Sequence, residues 1–400
     1  MNTPIRTALL LCSLLALSAC SSILHNPVPE DIHLQATVLG RDDLRFWGDR
    51  SEFEREHYPA RNRFLQNHYK GIMNTEHHYL AISGGGADGA YGAGVLVGWS
   101  ELGTRPEFTM VTGVSTGALT APFVFLGPDY DDELQLLYTT LDSSRIFLRR
   151  SLFSIVRGDS IADNTPLLRM LEKYIDDDMI REIAAQHRRG RLLLIGTSNL
   201  DAGRPVIWNI GEIANTGHPD AGDLIRQVLL ASTSIPGVFP PAYIRVQGPD
   251  GRTYDEMHVD GGTSAQMFLY PSRTNWAEIM ELLNVQGTPT AYVIRNSRIE
   301  AQYQPVRARL PDIGARSVAS LIRTQGIGDA FRIAAVTHRD GVALEITWIP
   351  MSAPADPGEE IFDPAYMSEL FDYGLNRVKR GEAFVPVDMQ RLVPADRVKQ

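Results

Sequence analysis

The chain has 400 residues, of which 44% are hydrophobic and 22% charged, and its formal net charge is −10. A chain this long and apolar can bury a large core and is not a disordered polymer. The acidic balance excludes a nucleic-acid binder, which needs clustered cations; the longest basic run, "HRRGR" from His187 to Arg191, reads as the solvated end of a helix, where cations suit the carbonyl dipoles.

The first twenty residues read as an address. "MNTPIRTALLLCSLLALSAC" places Arg6 before an apolar run from Ala8 to Leu17, with small residues before Cys20, and is too short to span a bilayer. Its ending, "LSAC", resembles the bacterial lipobox, which implies cleavage after residue 19 and lipid attached to the sulfur and amine of Cys20. Cys12 would leave with the signal segment, so the mature chain has no disulfide framework or cysteine metal site. Ser21 resembles the outer-membrane sorting class of Gram-negative lipoproteins. The expectation is a body held in the bacterial cell envelope, at the outer membrane, by acyl chains worth about 0.8 kcal/mol per buried methylene.

Residues 20–75 are expected to form a lipidated tether and an N-terminal extension. "HNPVPED", His25 to Asp31, is extended because its prolines disfavour helix. The following "LRFWGDRSEFEREHYPARNRFLQNHYKG" mixes aromatic and charged residues and predicts a helical extension packed on the body, with no chemistry assigned. His57, His68, His77 and His78 lack metal-ligand spacing with carboxylates or cysteine and read as surface or packing residues.

From about residue 76 to 385 the pattern becomes regular, before a tail over 386–400. "HYLAIS" is a short apolar strand, followed by a glycine loop and the apolar helix "AYGAGVLVGWSELG"; "EFTMVTG" and "ALTAPFVFLG" repeat strand and helix. "RLLLIGTSNL", "TAYVIRNS" and "ALEITWIP" read as further strands, and "TPLLRMLEKYI", "DLIRQVLLAS" and "DPAYMSELFDYGLNRVKRG" as helices. This rhythm predicts an α/β domain with a mostly parallel central sheet flanked by helices.

The loop "SGGGADG", Ser83 to Gly89, fits the dinucleotide fingerprint, but the next strand ends in "TGVSTG" rather than an acidic residue for a ribose. No Gly-Lys-Ser/Thr follows, which excludes a P-loop. "GVSTG" instead fits G-x-S-x-G, the strained strand-to-helix turn that lifts a serine hydroxyl above a sheet edge, here Ser115. Acyl transfer also explains the glycines, because backbone N–H groups must reach a developing oxyanion without Cβ atoms in the way. On that view Gly85→Val destroys catalysis through an unfavourable positive φ and changes stability much less.

A third motif, "DGG" at Asp260 to Gly262, completes an ordered set with GGG and GVSTG, and this set resembles the patatin-like phospholipase family. "ASTSIPGVFPP", Ala231 to Pro241, resembles the segment that family carries upstream of its aspartate. The resemblance covers roughly residues 79–381 and implies a three-layer patatin-type fold. It further implies a dyad in which Ser115 attacks an ester carbonyl and Asp260 accepts its proton, with Gly84, Gly85, Gly86 and the Thr116 amide holding the oxyanion, and with no metal or cofactor. The implied substrates are membrane phospholipids or lysophospholipids. Asp88 stands where many members carry arginine or lysine, which removes a positive charge from the loop.

Three readings stay open at this stage. His258, two residues before Asp260 on a strand, offers a conventional triad as the alternative to the dyad. "RIFLRRSLFSIVRG", Arg145 to Gly158, suits either a lid meeting anionic lipid headgroups or a packed element with exposed arginines. The other functions to weigh are a thioesterase or small-ester esterase, and a non-enzymatic lipid-binding envelope lipoprotein.

Overall fold

The computed structural model describes residues 25–50, 65–140, 143, 148–149, 162–301, 303–358 and 360–387. The signal segment, Cys20, nearly all of Arg145–Gly158 and most of the 386–400 tail lie outside the described residues. In chain order the strands are β1 (Arg45–Trp47), β2 (Glu76–Ile82), β3 (Met110–Val114), β4 (Leu148–Arg149), β5 (Ala162–Asp163), β6 (Leu192–Asn199), β7 (Arg204–Asn209), β8 (Ala242–Gln247), β9 (Thr253–Asp260), β10 (Gln286–Arg295), β11 (Ala343–Trp348) and β12 (Val385–Pro386). β4 and β5 pair only with each other, and the rest form one ten-stranded sheet.

The centre of that sheet is parallel, in the order β6-β3-β2-β10-β11, with antiparallel strands added at both ends. Its strands are apolar on both faces, as crossover connections require. Leu80, Ile82, Val111 and Ile195 point into one core, beneath the helices Gly89–Glu101, Thr116–Leu126 and Pro364–Lys379. Tyr79, Ala81, Met110 and Leu194 point into the other, beneath Trp276–Leu282 and the C-terminal half of Leu310–Asp340. The alternation of neighbouring residues between two helix-covered cores is the three-layer arrangement the pattern predicted.

Crowding explains some of the loop's downstream glycines. A Cβ at Gly94 would lie 2.0 Å from the Phe371 carbonyl oxygen, so the helices Gly89–Glu101 and Pro364–Lys379 meet backbone against side chain-free backbone. The N-terminal extension, helical at residues 65–68 as expected, differs from its predicted form at its start. Arg45–Trp47 is a strand paired antiparallel with β7, because Leu44 enters the core while Arg45 turns inward to a buried Glu256. "HRRGR" does end a helix, Asp177–Arg188, and Arg188 and Arg189 are exposed as expected, but His187 and Arg191 are buried, and Arg191 donates to the carbonyls of Phe108 and Phe125.

The decisive topological feature is a fork on β6. Its first five residues pair with β3, ending at Gly196 opposite Val114; the next residue, Thr197, pairs with Asp260 of β9. Consecutive residues of one strand therefore fix where β3 stops and where β9 delivers its last residue.

Candidate active site

Val114 leads directly into Ser115, whose φ of 56° and ψ of −126° lie outside the regions that side chains favour. The turn survives because its neighbours have no side chains: a Cβ at Gly113 would sit 2.4 Å from the Gly117 carbonyl oxygen, and one at Gly117 would sit 2.4 Å from that of Ile82. The Ser115 amide donates to Ser232 Oγ at 3.0 Å, and Ser232 in turn donates to the Gly196 carbonyl at 2.7 Å. The segment Ala231–Pro241 thus ties the turn to β6, and it also holds Asp260, whose amide donates to the Ser234 carbonyl at 2.9 Å.

Asp260 is buried, and its carboxylate accepts the Gly262 amide at 2.7 Å. Burial pushes its carboxyl up to about 6, opposed by hydrogen bonds from the Ser115 hydroxyl and the Gly262 amide. The second glycine of "DGG" is therefore a donor, and Gly261 has no room for a side chain, since its Cβ would lie 2.4 Å from the Gly196 carbonyl oxygen.

The glycine loop lies over the serine. A Cβ at Gly84 would be 3.1 Å from Ser115 Cβ. The Gly84 amide, expected to face the oxyanion, instead donates to the Gln266 carbonyl at 3.1 Å, because that bond closes the loop onto the segment after β9. The amides of Gly85, Gly86 and Thr116 donate to no group among the described residues. Gly85 does not need glycine for its φ, which is an extended 162°; it needs it because a Cβ would lie 2.2 Å from the Asn296 carbonyl oxygen. Gly86 carries the positive φ, 59°, and its Cβ would meet open space.

Asp88 accepts a hydrogen bond from the Tyr366 hydroxyl at 2.6 Å. Burial raises its carboxyl to about 6, against the pull of Tyr366 and the nearby Arg298 guanidinium. Arg298, three residues beyond the end of β10, thus brings a positive charge near Asp88, while its guanidinium donates to the Ala353 and Pro354 carbonyls. Sequence reasoning missed Arg298 because it lies 210 positions away, with no motif around it.

His258 does not serve the serine. It is fully buried, its Nε2 pairs with Glu256 Oε2 at 3.0 Å, and its Nδ1 pairs with Thr197 Oγ1 at 3.0 Å. The Glu256 carboxylate can only accept, so Nε2 carries a proton, and Trp208 donates to the same Thr197 oxygen that meets Nδ1. Burial lowers the pKa of His258. The triad alternative fails because both ring nitrogens are committed to the Arg45–Glu256 pair and β6.

A cavity of about 70 Å³ opens beside Ser115. Gly86, Ser115 and Thr116 stand at one side; the wall is otherwise mostly apolar, with Leu119, Phe123, Leu167, Leu171, Ile175 and Phe239. Far from it, His68, expected to be a lone packing residue, meets His187 and Glu212 with their ligating atoms all within 4.8 Å. His187 Nε2 and Glu212 Oε2 are 2.6 Å apart, a hydrogen bond rather than the roughly 3.3 Å that separates two ligands on a tetrahedral zinc. The His187 bond, with Arg41, holds the Glu212 carboxyl down to about 2. His77 is likewise structural, bonded to the Ile72 carbonyl and the Tyr79 hydroxyl, while His57 lies outside the described residues.

A serine on a strained elbow, a buried carboxylate beside it and an apolar cavity define an acyl hydrolase of the α/β class. Residues 80–270 match the family model described as patatin-like phospholipase, so the chain carries a patatin-like phospholipase domain, that of a lipid acyl hydrolase. Among solved structures it is similar to VipD from Legionella pneumophila, with 13% identity and a TM-score of 0.37 over 78% of this chain and 68% of that one. It is also similar to human GIVD cytosolic phospholipase A2, with 10% identity and a TM-score of 0.34 over 86% of this chain and 65% of that one. For the type III effector protein ExoU the values are 14% and 0.28, over 79% of this chain and 58% of that one. The chain thus spans about two thirds of these structures or less. No curated protein matches it.

Proposed function

We propose that the protein cleaves carboxylic esters of phospholipids or lysophospholipids through a Ser115–Asp260 dyad. Asp260 takes the Ser115 proton as Oγ attacks the ester carbonyl, and the free amides of Gly85, Gly86 and Thr116 hold the oxyanion. Collapse expels the lysolipid or glycerophosphoryl alcohol, which takes that proton, and leaves an acyl-enzyme. Water, deprotonated by Asp260, then releases the fatty acid and restores the serine. We also propose that the chain is anchored through acylated Cys20 in a bacterial envelope, which would present the site to a membrane.

One observation carries the reading: β6 registers the strained turn at Ser115 and the buried carboxylate of Asp260 against its adjacent residues Gly196 and Thr197, and burial raises that carboxyl to about 6, close to a working pH, as a general base requires. The mostly apolar wall beside Ser115 suits an acyl chain rather than a charged group. The test is labelling of the purified protein with a fluorophosphonate, followed by product analysis on phospholipid and lysophospholipid. Ser115→Ala should abolish labelling. Turnover of thioesters or short esters alone would favour those activities, and no labelling at all would leave a lipid-binding lipoprotein. For the anchor, mass spectrometry of the mature N-terminus should find an acylated Cys20, and a free N-terminus elsewhere would reject it.

A further inference from the structure

Of the twelve large apolar side chains exposed among the described residues, seven fall in the twenty positions from Tyr303 to Ile322. Leu310 is 85% exposed and Leu321 69%, in the N-terminal part of the helix Leu310–Asp340. At about 100° per residue, Ile313, Leu310, Leu321 and Val318 share an arc of about 140°. Every residue from Ile313 to Ile322 is exposed except Arg316, which is half-buried, so the apolar arc is open to solvent, where a soluble surface gains nothing from it.

The same stretch reverses the charge of the molecule. Residues 303–323 hold Arg307, Arg309, Arg316 and Arg323 against the single Asp312, a net of +3 within a chain of −10. Arg316 and Arg323, seven residues apart, lie on one side of the helix, and Arg309 is its N-cap residue. The helix then runs directly into the site: Gln325 Oε1 accepts from Gln266 at 3.3 Å, and Gln266 is the residue that receives the Gly84 amide.

We propose that Tyr303–Arg323 docks onto a membrane surface bearing anionic headgroups and sets the active-site mouth against it. Apolar side chains on one arc and arginines on another are what an interfacial helix needs, with the apolar side entering the acyl boundary and the cations meeting phosphates. A second copy of the chain is a poorer occupant, because a two-fold contact would bring +3 against +3. The net charge of the chain is acidic and disfavours contact with anionic lipid, whereas this segment is basic, so this face favours an orientation toward the membrane. The proposal rests on the lipid hydrolase reading for the source of substrate, while the docking itself is measured separately.

The experiment uses the full chain, at one acylation state, against vesicles of mixed phosphatidylcholine and phosphatidylglycerol and against a water-soluble short-chain ester. Leu310→Asp/Leu321→Asp should lower the vesicle rate about tenfold or more and leave the soluble-ester rate and Tm unchanged, since both side chains are exposed. Arg309→Gln/Arg316→Gln should weaken action on mixed vesicles and leave pure phosphatidylcholine vesicles unaffected. Co-sedimentation with the same vesicles in a Ser115→Ala background reads docking without catalysis, so a failure of the hydrolase reading leaves this arm intact. An unchanged vesicle rate with unchanged sedimentation overturns the proposal. So does a change of oligomeric state in the leucine variant without loss of vesicle binding.

Discussion

The Tyr366 hydroxyl donates to the half-buried Asp88 carboxylate at 2.6 Å, joining the end of the glycine loop to the first turn of the helix Pro364–Lys379. The Gly84–Gln266 bond holds the start of the same loop. Tyr366→Phe should therefore lower stability by about 0.5–1.5 kcal/mol, the net worth of one hydrogen bond, and lower kcat by loosening the amides. Thermal unfolding and steady-state kinetics on one preparation check both effects.

The pH dependence follows from Asp260. The dyad needs its carboxylate, so kcat/KM should fall as pH drops through about 6. The folded-state pKa lies above the unfolded one, so the folded protein keeps a proton that the unfolded chain has lost between about pH 4 and 6, and stability declines as pH rises across that window. Asp260→Asn removes this penalty. It should lose most turnover while its Tm at neutral pH holds or rises, as a pH series of unfolding curves would show.

Gly85 and Gly86 separate two reasons for glycine. Gly85→Ala drives a Cβ into the Asn296 carbonyl, so stability and activity should fall together, contrary to the expectation that catalysis alone would suffer. Gly86→Ala meets only the cost of a left-handed backbone, about 1–2 kcal/mol, and should keep measurable activity. Equal losses in the two variants would contradict the structural distinction.

His258→Ala should lower Tm by removing a buried partner of Glu256 and Thr197, at a cost of about 1–3 kcal/mol. The residual folded enzyme should hydrolyse ester at close to the normal rate per molecule. A loss of kcat far larger than the loss of folded protein would return the histidine to the mechanism.

The local parts of this architecture were legible because they rest on short-range chemistry. The glycines around Ser115 announce a turn that tolerates no Cβ, and Leu192–Asn199 announces a buried strand by its apolar run. What could not be read is what pairs with what across hundreds of residues. Arg45 and Glu256 are 211 positions apart, and only their meeting explains both a strand where a helix was expected and a histidine unavailable to the serine. Gly84 shows the same limit at the site. Its sequence context marks it as a donor to the oxyanion, and only the fold reveals that Gln266 already takes its proton.

The fork on β6 also divides the molecule into parts that can change independently. The proposed nucleophile and base are registered against adjacent positions of a central strand, whereas one wall of the cavity comes from Leu167, Leu171 and Phe362 on segments outside that register. Substitutions that reshape the wall leave the reacting pair undisturbed. Descendants of this chain could therefore explore new chain lengths or headgroups by drift in those segments, with the reaction inherited intact from the sheet.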